Sequence, residues 1–174
     1  MKTAVHLLDD FAMGGVMRAL SLFEEPELAD ILKSRVEPVP STARLAKRYD
    51  ADLIVVHIPP SWRRMPWIVS LRALNPTAHI IHVEHSYTQG FECHMVANTK
   101  RFRAMMRTAF TFVDTIVCVS HAQRHWMVAA SGAPAGKFRT IHPWSGREDL
   151  LELAPAGKLD GRPIRLAAYG RFVE

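Results

Sequence analysis

The sequence predicts an α/β protein whose core is a mostly parallel, doubly wound sheet. Two observations lead to this fold class. Short apolar segments rich in β-branched residues alternate along the 174-residue chain with segments of helical spacing. Most of the apolar segments are continuous runs, which is typical of strands that are covered on both faces. We therefore expect helices on both sides of the sheet and right-handed crossovers between its strands.

Six segments have the composition of buried strands. The second of them, VEPV, contains a proline, which suits a strand at the edge of a sheet. Ligands of parallel sheets bind beyond the carboxyl ends of the strands, where the strand order reverses. The residues that follow each strand therefore form the candidate site. The predicted strands are 3–8, 36–39, 52–58, 79–85, 115–120 and 138–143.

Five segments between the strands have helical patterns. The first carries apolar residues at Val16, Leu20 and Phe23, which form one stripe along a helix. The last begins at Ser120, a favoured capping residue, and stops at Gly132, a favoured residue just past a helix end. The predicted helices are 16–23, 41–49, 62–74, 96–112 and 120–131.

The chain divides into three parts. Residues 1–146 hold the six predicted strands and are expected to form one N-terminal domain. Residues 147–163 carry glycines and prolines and are expected to form a connector. Residues 164–174 begin with a seventh strand pattern that no helix follows, so we expect them to open a second domain that is truncated here.

The net charge of +5 would attract phosphates, nucleotides, an anionic membrane surface or nucleic acid. A nucleic-acid partner is not expected, because the sequence contains no recognisable reader module. No apolar run approaches the ~20 residues of a membrane-spanning helix. The N-terminus has too short an apolar run for a secretory signal and meets acidic residues too soon, so we expect a cytoplasmic protein.

Two segments, 61–74 and 99–112, combine basic side chains with apolar or aromatic ones. One interpretation is a pair of amphipathic helices whose apolar sides pack on the sheet. The other is peripheral contact with an anionic membrane, in which Trp62 and Trp67 are interfacial anchors.

Histidine pairs raise the question of a metal site. His82 and His85 are three positions apart and would point to opposite faces of a strand, so they cannot chelate together unless the strand has ended before His85. His121 and His125 have helical spacing and could bind one metal ion together. The sequence places no third ligand beside them. We therefore expect no metal.

Gly14 and Gly15 separate the first predicted strand from the first helix. Glycine there permits a tight turn, and it also lets an anion such as a diphosphate approach the free N–H groups of a helix. The spacing excludes a GxGxxG dinucleotide fingerprint and a GxxxxGK[ST] P-loop. Asp9 and Asp10 would lie at the mouth of this site, where they cap the next turn or bind a polyhydroxy ligand.

Four segments of the chain bear on its family, because their order and spacing can be compared with those of known families. They are the strand–GG–helix unit of residues 3–23, HIIHVEHSY, FVDTIVCVSHAQRHWMVAASGAPAGKFRTIHP and LAAYGRFVE. Together they resemble the N-terminal domain of GT-B glycosyltransferases of family 4, also called group 1, followed by the start of the second domain. The predicted sheet is thus similar to one Rossmann-like half of a GT-B fold.

The resemblance implies an enzyme of the hexosyltransferase type that retains the anomeric configuration. A sugar would pass from a nucleotide-sugar donor to a hydroxyl of a carbohydrate or lipid-linked acceptor, without a metal or other cofactor. The enzyme would work in the cytoplasm, with peripheral contact at the inner face of the membrane if the acceptor is a lipid. The alternative is a non-catalytic Rossmann-like module that binds nucleotides or carbohydrates. An unrelated nucleotide-using enzyme such as an epimerase would need cofactor signatures that the sequence lacks.

The resemblance also assigns residues. His85 matches the catalytic histidine beside the transferred sugar. Gly14, Gly15 and Arg171 match groups that contact the donor diphosphate, where a guanidinium would balance the charge on the leaving group. The remaining candidates for the acceptor side of the cleft are Asp9, Asp10, Ser86, Tyr87 and Ser120.

Two departures from the family pattern bear on this assignment. The usual P-N-G-x-D is replaced by Pro-Trp-Ser-Gly-Arg-Glu at residues 143–148. The lysine and the E-x7-E motif of the second domain would lie beyond Glu174. We therefore expect the 174-residue chain alone not to catalyse transfer.

Overall fold

A computed structural model of the chain describes residues 1–11 and 15–143, and at Arg18 the backbone only. Six parallel strands form one sheet in the order β2-β1-β3-β4-β5-β6. The predicted α/β class and parallel sheet are confirmed. The strands are β1 Lys2–Leu8, β2 Leu32–Pro38, β3 Leu53–Val56, β4 His79–Glu84, β5 Thr115–Cys118 and β6 Phe138–Thr140.

Helices connect the strands through most of the described chain. Pro66 lies in the first turn of α3, where its missing N–H costs no hydrogen bond. Two short 3₁₀ helices, Ser21–Glu24 and Ala135–Lys137, complete the connections. The α-helices are α1 Gly15–Leu20, α2 Pro26–Ala29, α3 Met65–Leu74, α4 Gln89–Met95, α5 Thr99–Thr111 and α6 His121–Ser131.

The strand order reverses at β1. This strand pairs with the edge strand β2 on one side and with β3 on the other. The register Leu7↔Val56 and Val56↔His82 brings the carboxyl ends of β1, β3 and β4 to one edge of the sheet. A crevice at this switch point is where a doubly wound sheet takes its ligand.

The main core lies on one face of the sheet, under α3, α5 and α6. Alternate strand residues such as Leu7, Ile54 and Ile80 are fully buried there. Trp67 of α3 and Phe110 of α5 cover them, and each such side chain stabilises the fold by about 1.5–3 kcal/mol. The continuous apolar runs of the sequence therefore mark this sheet correctly.

The prediction of a helix over residues 41–49 is wrong. This segment is irregular, and Leu45 is 73% exposed. Side chains of α3 and its C-cap satisfy the backbone that a helix would have paired internally: Ala46 N donates to Ser70 Oγ at 2.8 Å, and Tyr49 N donates to Asn75 Oδ1 at 2.7 Å. Tertiary hydrogen bonds thus outweigh the local helical pattern.

The helix predicted over residues 96–112 is α5, which begins at Thr99 because Asn98 caps it: Asn98 Oδ1 accepts from Arg101 N at 2.9 Å. The sequence pattern does not predict α4, which lies before this range. Other boundaries also differ: the predicted helix 62–74 begins at Met65, the helix 16–23 passes into a 3₁₀ turn after Leu20, and the edge strand begins at Leu32. The strands β3, β5 and β6 end two or three residues before the predicted ones. The predicted Gly132 stop is confirmed by its φ of 64°.

The segments 61–74 and 99–112 have two interpretations, packing on the sheet or contact with a membrane. The structure decides between them for most of their side chains. Trp67 is 2% exposed, so its predicted role as a membrane anchor is wrong. The apolar stripe of α5 is buried on the core at Met105, Met106 and Phe110, as the packing interpretation expects. Trp62 is 43% exposed.

No helix within the described ranges is long and apolar enough to cross a membrane. The predicted connector 147–163 and second-domain strand 164–174 lie outside the described residues.

Candidate functional site

An open cleft of about 650 Å³ lies at the carboxyl ends of β1, β3 and β4. Its volume falls within the range of roughly 300–1,000 Å³ that small-molecule sites occupy. The switch point therefore carries a cavity that is large enough for a small-molecule ligand. The lining residues are Leu8, Asp9, Asp10, Gly15, Val16, Met17, His57, Pro59, His85 and Ser86.

Gly15 begins α1 on the wall of the cleft. A Cβ added there would meet nothing within 4 Å, and among the described glycines only Gly132 has a positive φ. Neither packing nor backbone geometry thus requires glycine at this position, and the space beside its backbone is open. Gly14 lies outside the described residues.

Asp9 forms an ion pair with Arg64. The sequence pattern indicates a turn cap or a ligand contact at this residue and does not predict the pair. The Oδ2 atom of Asp9 lies 3.0 Å from Nη2 of Arg64, the residue that precedes α3. Arg64 is 7% exposed and also donates from Nη1 to the carbonyl of Pro40 at 2.9 Å. The ion pair fixes the Asp9 carboxylate at the rim of the cleft. Asp10 is exposed beside it and lines the same cavity.

The loop that carries His85 is rigidly held. The buried carboxylate of Glu84 accepts from Ser86 N at 2.7 Å and from Tyr87 N at 2.8 Å through the same Oε1. The side chain of Gln123 donates to the carbonyls of Glu84 and Tyr87, at 3.2 and 2.8 Å. The backbone on both sides of His85 is therefore tied to β4 and to α6.

His82 belongs to the opposite face of β4. Its Nε2 lies 3.1 Å from the second oxygen of Glu84, and its ring packs against Phe110 in the core. His85 lies beyond the end of β4, where the alternation of strand residues no longer applies, and it lines the cleft.

A chain of three imidazoles leads from the cleft into the sheet. His85 Nε2 lies 3.1 Å from Nδ1 of His57, and His57 Nε2 lies 3.0 Å from Nδ1 of His6. Burial lowers the pKa of His6 to about 4 and, with repulsion from the neighbouring histidines, that of His57 to about 3. The pKa of His85 is also lowered, chiefly by burial. All three rings are thus neutral near pH 7.

Two of the sequence-predicted cleft residues are engaged elsewhere. The hydroxyl of Tyr87 donates to the carbonyl of Pro60 at 2.7 Å, and its ring packs against Phe91 and Phe102. Ser120 accepts from Gln123 N at 3.1 Å and caps α6. Of the predicted residues, the structure thus brings together Asp9, Asp10, Gly15, His85 and Ser86, while Arg171 lies outside the described residues.

Sequence reasoning missed three residues of this site: His6, His57 and Arg64. A signal for His57 exists, because it is the one polar residue near the end of the apolar run DLIVVHI, which two prolines follow. His6 is the polar residue inside the first apolar run. Arg64 has no local signal, since its partner Asp9 is 55 positions away.

Metal-ligating side chains do not converge in the part of the chain that is described. No group of three or more His, Cys, Asp or Glu side chains there is placed to hold a metal ion. His121, one of the predicted pair, instead contacts the ring of His142 at a centroid distance of 5.4 Å.

The fold and the cleft define a Rossmann-like domain with its ligand site at the topological switch point. A family comparison carries the assignment further. The model of Glycosyltransferase Family 4 matches residues 24–144, well over half of the chain. The chain belongs to this family and is an N-terminal domain of a glycosyltransferase. A search of curated proteins gives no match. The matched range includes His57 and His85 but neither Gly15 nor Arg171.

Proposed function

We propose that this domain serves an enzyme that moves a sugar from a nucleotide-sugar donor to an acceptor hydroxyl with retention of configuration. The observation that carries the proposal is the placement of His85. It lies within the range matched by the family and lines a cleft of suitable size, together with the open backbone of Gly15. The cleft therefore offers a ring nitrogen and an approachable peptide backbone to one ligand.

His85 would act through a hydrogen bond to an oxygen of the donor. Its pKa is lowered, so the ring is neutral near pH 7 and supplies no cation to the diphosphate. Arg171, outside the described residues, is the proposed source of the positive charge that stabilises the leaving group. We propose neither a metal nor a cofactor for this step.

Gly14 and Gly15 would let the donor diphosphate approach the backbone. The open space beside Gly15 supports this use, because a side chain would occupy it. Asp10 and Ser86, which line the same cavity, are proposed contacts for the acceptor. A cytoplasmic location and peripheral contact with a lipid-bearing membrane surface stay predictions, and Trp62 is the exposed aromatic residue that such contact would use.

Binding is tested with the substitution Gly15→Ala. The structure has room for the new methyl group, so the free energy of unfolding should stay equal or rise by up to about 1 kcal/mol. The affinity for UDP, GDP, UDP-glucose and GDP-mannose, measured by calorimetry, should fall about tenfold for whichever of these probes binds. Gly136→Ala is the matched control, since its Cβ also meets nothing within 4 Å but lies away from the cleft. Equal affinities in the two variants would overturn the role of Gly15.

Catalysis is tested with His85→Ala in the polypeptide encoded by the complete reading frame. Loss of a group that acts on the reacting sugar should lower kcat by about 100-fold or more while the dissociation constant of the donor changes little. Unchanged turnover would refute the catalytic role of His85. Donor binding without any turnover in the wild-type polypeptide would favour the non-catalytic binding module instead.

A further inference from the structure

The three imidazoles at the switch point form a continuous hydrogen-bonded chain across three adjacent strands. His6 belongs to β1, His57 follows β3 and His85 follows β4. The nitrogen pairs are His6 Nδ1 with His57 Nε2 at 3.0 Å and His57 Nδ1 with His85 Nε2 at 3.1 Å. Each contact needs one N–H and one lone pair, so the state of one ring constrains the next.

Because each neutral imidazole carries a single N–H, only two arrangements satisfy both contacts. In the first, every ring holds its proton on Nδ1, and the chain donates from His6 towards His85. In the second, every ring holds its proton on Nε2, and the chain donates from His85 towards His6. The three rings therefore share one tautomer.

The inner end of the chain distinguishes the two arrangements. His6 Nε2 is buried and has no hydrogen-bond partner among the described residues. The first arrangement leaves a lone pair at this atom, whereas the second leaves an unpaired N–H group. Among backbone groups, a buried N–H without a partner is rarer in native proteins than an under-satisfied acceptor, and we apply the same preference to this imidazole. The described surroundings of this ring are mostly apolar and include Phe23, Val55 and Val83.

We propose that His57 and His6 are positioning residues that hold His85 as the tautomer with its proton on Nδ1. His85 Nε2 is then an acceptor occupied by His57, and Nδ1–H is the group left for the cleft. The site thus presents a neutral hydrogen-bond donor that pairs with an oxygen lone pair of the ligand and cannot accept from a hydroxyl. The identity of that oxygen, in a sugar or in a phosphate, rests on the proposed function. The tautomer itself does not.

The tautomer is measured directly on the 174-residue chain without ligand, by the ¹⁵N chemical shifts of its histidine rings at pH 7.5. His85→Gln identifies the His85 signals by their loss. Neutral histidine free in water prefers the Nε2–H tautomer, so an Nδ1–H signal from His85 is diagnostic. An Nε2–H signal from His85 in the wild-type chain would overturn the proposal, whatever the enzyme transfers.

Two substitutions at residue 57 separate positioning from packing. His57→Phe keeps a ring but removes the N–H that His85 accepts, so His85 should shift to the Nε2–H tautomer. His57→Asn restores a donor close to the former Nδ1 and should return His85 to Nδ1–H. His79→Gln, at the exposed opposite end of β4, should leave the His85 signal unchanged. An unchanged His85 tautomer in folded His57→Phe would show that His57 does not set it.

Discussion

The guanidinium of Arg64 lies 3.0 Å from the carboxylate of Asp9, across the rim of the cleft. The same side chain donates to the carbonyl of Pro40 at 2.9 Å. One buried cation therefore joins the loop after β1, the segment after β2 and the start of α3. The position of Asp9 beside the ligand cleft thus depends on the docking of a helix 55 residues away in the sequence.

Removing this cation should destabilise the domain. Arg64→Met keeps most of the apolar stem but loses both hydrogen bonds, and the free energy of unfolding should fall by about 1.5–3 kcal/mol. Asp9→Asn should cost about 1 kcal/mol or less, because the Asp9 side chain is 32% exposed and its amide can be hydrated. Urea denaturation of both single variants and of the double variant gives the coupling between them. Strict additivity would contradict a direct interaction.

The histidine chain should make stability depend on pH. In the folded chain the pKa of His6 is lowered from 6.5 to about 4 and that of His57 from 6.5 to about 3, in both cases chiefly by burial. Below pH 6.5 the unfolded chain takes up protons at these residues while the folded chain does not. Their contribution to stability is therefore complete above pH 6.5 and is lost as the pH falls towards 4 and then 3.

The expected slope is up to about 1.4 kcal/mol per pH unit for each of these histidines. Urea denaturation at pH 7.5, 6 and 5 measures it. His57→Asn removes one titrating ring and should make the slope shallower. His94→Gln is the control, since His94 is exposed and its replacement should leave the slope as in the wild type. Identical slopes in all three proteins would contradict the burial of neutral imidazoles.

The fold was predictable because its largest signal is local. Strands buried on both faces have continuous apolar runs, and segments such as DLIVVHI and TIVCVS need no partner to be recognised. The segment 41–49 was not predictable, since its backbone is paired by Ser70 and Asn75, which lie on or directly after a helix that comes later in the chain. Helical spacing cannot reveal such hydrogen bonds.

The candidate site was predictable only where a residue sits at a strand end. His85 closes an apolar run, and topology brings such ends together at the switch point. The use of each polar atom was not predictable. Asp9 carries the signature of a ligand contact or a turn cap but pairs with Arg64, and Tyr87 follows β4 but bonds to Pro60. These choices depend on three-dimensional distances that the order of residues does not encode locally.

Glu92 joins the three helices α4, α5 and α6. Its carboxylate accepts from Nε and Nη2 of Arg103 at 2.7 and 2.8 Å and from Nε1 of Trp126 at 3.0 Å. The hydrogen bonds from Arg103 are the main reason why the pKa of Glu92 is lower than its ordinary value. The hydrogen bond from Trp126 lowers this pKa further. Because Trp126 is buried, its N–H loses its partner if Glu92 is truncated.

We expect Glu92→Ala to lower the free energy of unfolding by about 3 kcal/mol, mainly by leaving the indole N–H unpaired. Glu92→Gln keeps an oxygen for Trp126 and should cost about 1 kcal/mol, since the Arg103 side chain is 45% exposed and solvent screens its charge. Thermal and urea denaturation of the two variants measure the difference. An equal loss in both would mean that the charge, and not the indole bond, dominates.

Gly132 ends α6 in the left-handed conformation, with φ of 64°, and lies against the side chain of Arg107. An added Cβ would come within 2.8 Å of Nη2 of Arg107, whose Nε donates to the carbonyl of Ser131 at 3.0 Å. Gly132→Ala therefore combines backbone strain with displacement of a capping arginine. We expect it to lower the free energy of unfolding by about 1–3 kcal/mol.

The control is Gly136→Ala, where the Cβ meets nothing within 4 Å and which should change the free energy of unfolding by less than about 0.5 kcal/mol. Urea denaturation compares the two, and an equal effect would show that neither the positive φ nor Arg107 constrains residue 132.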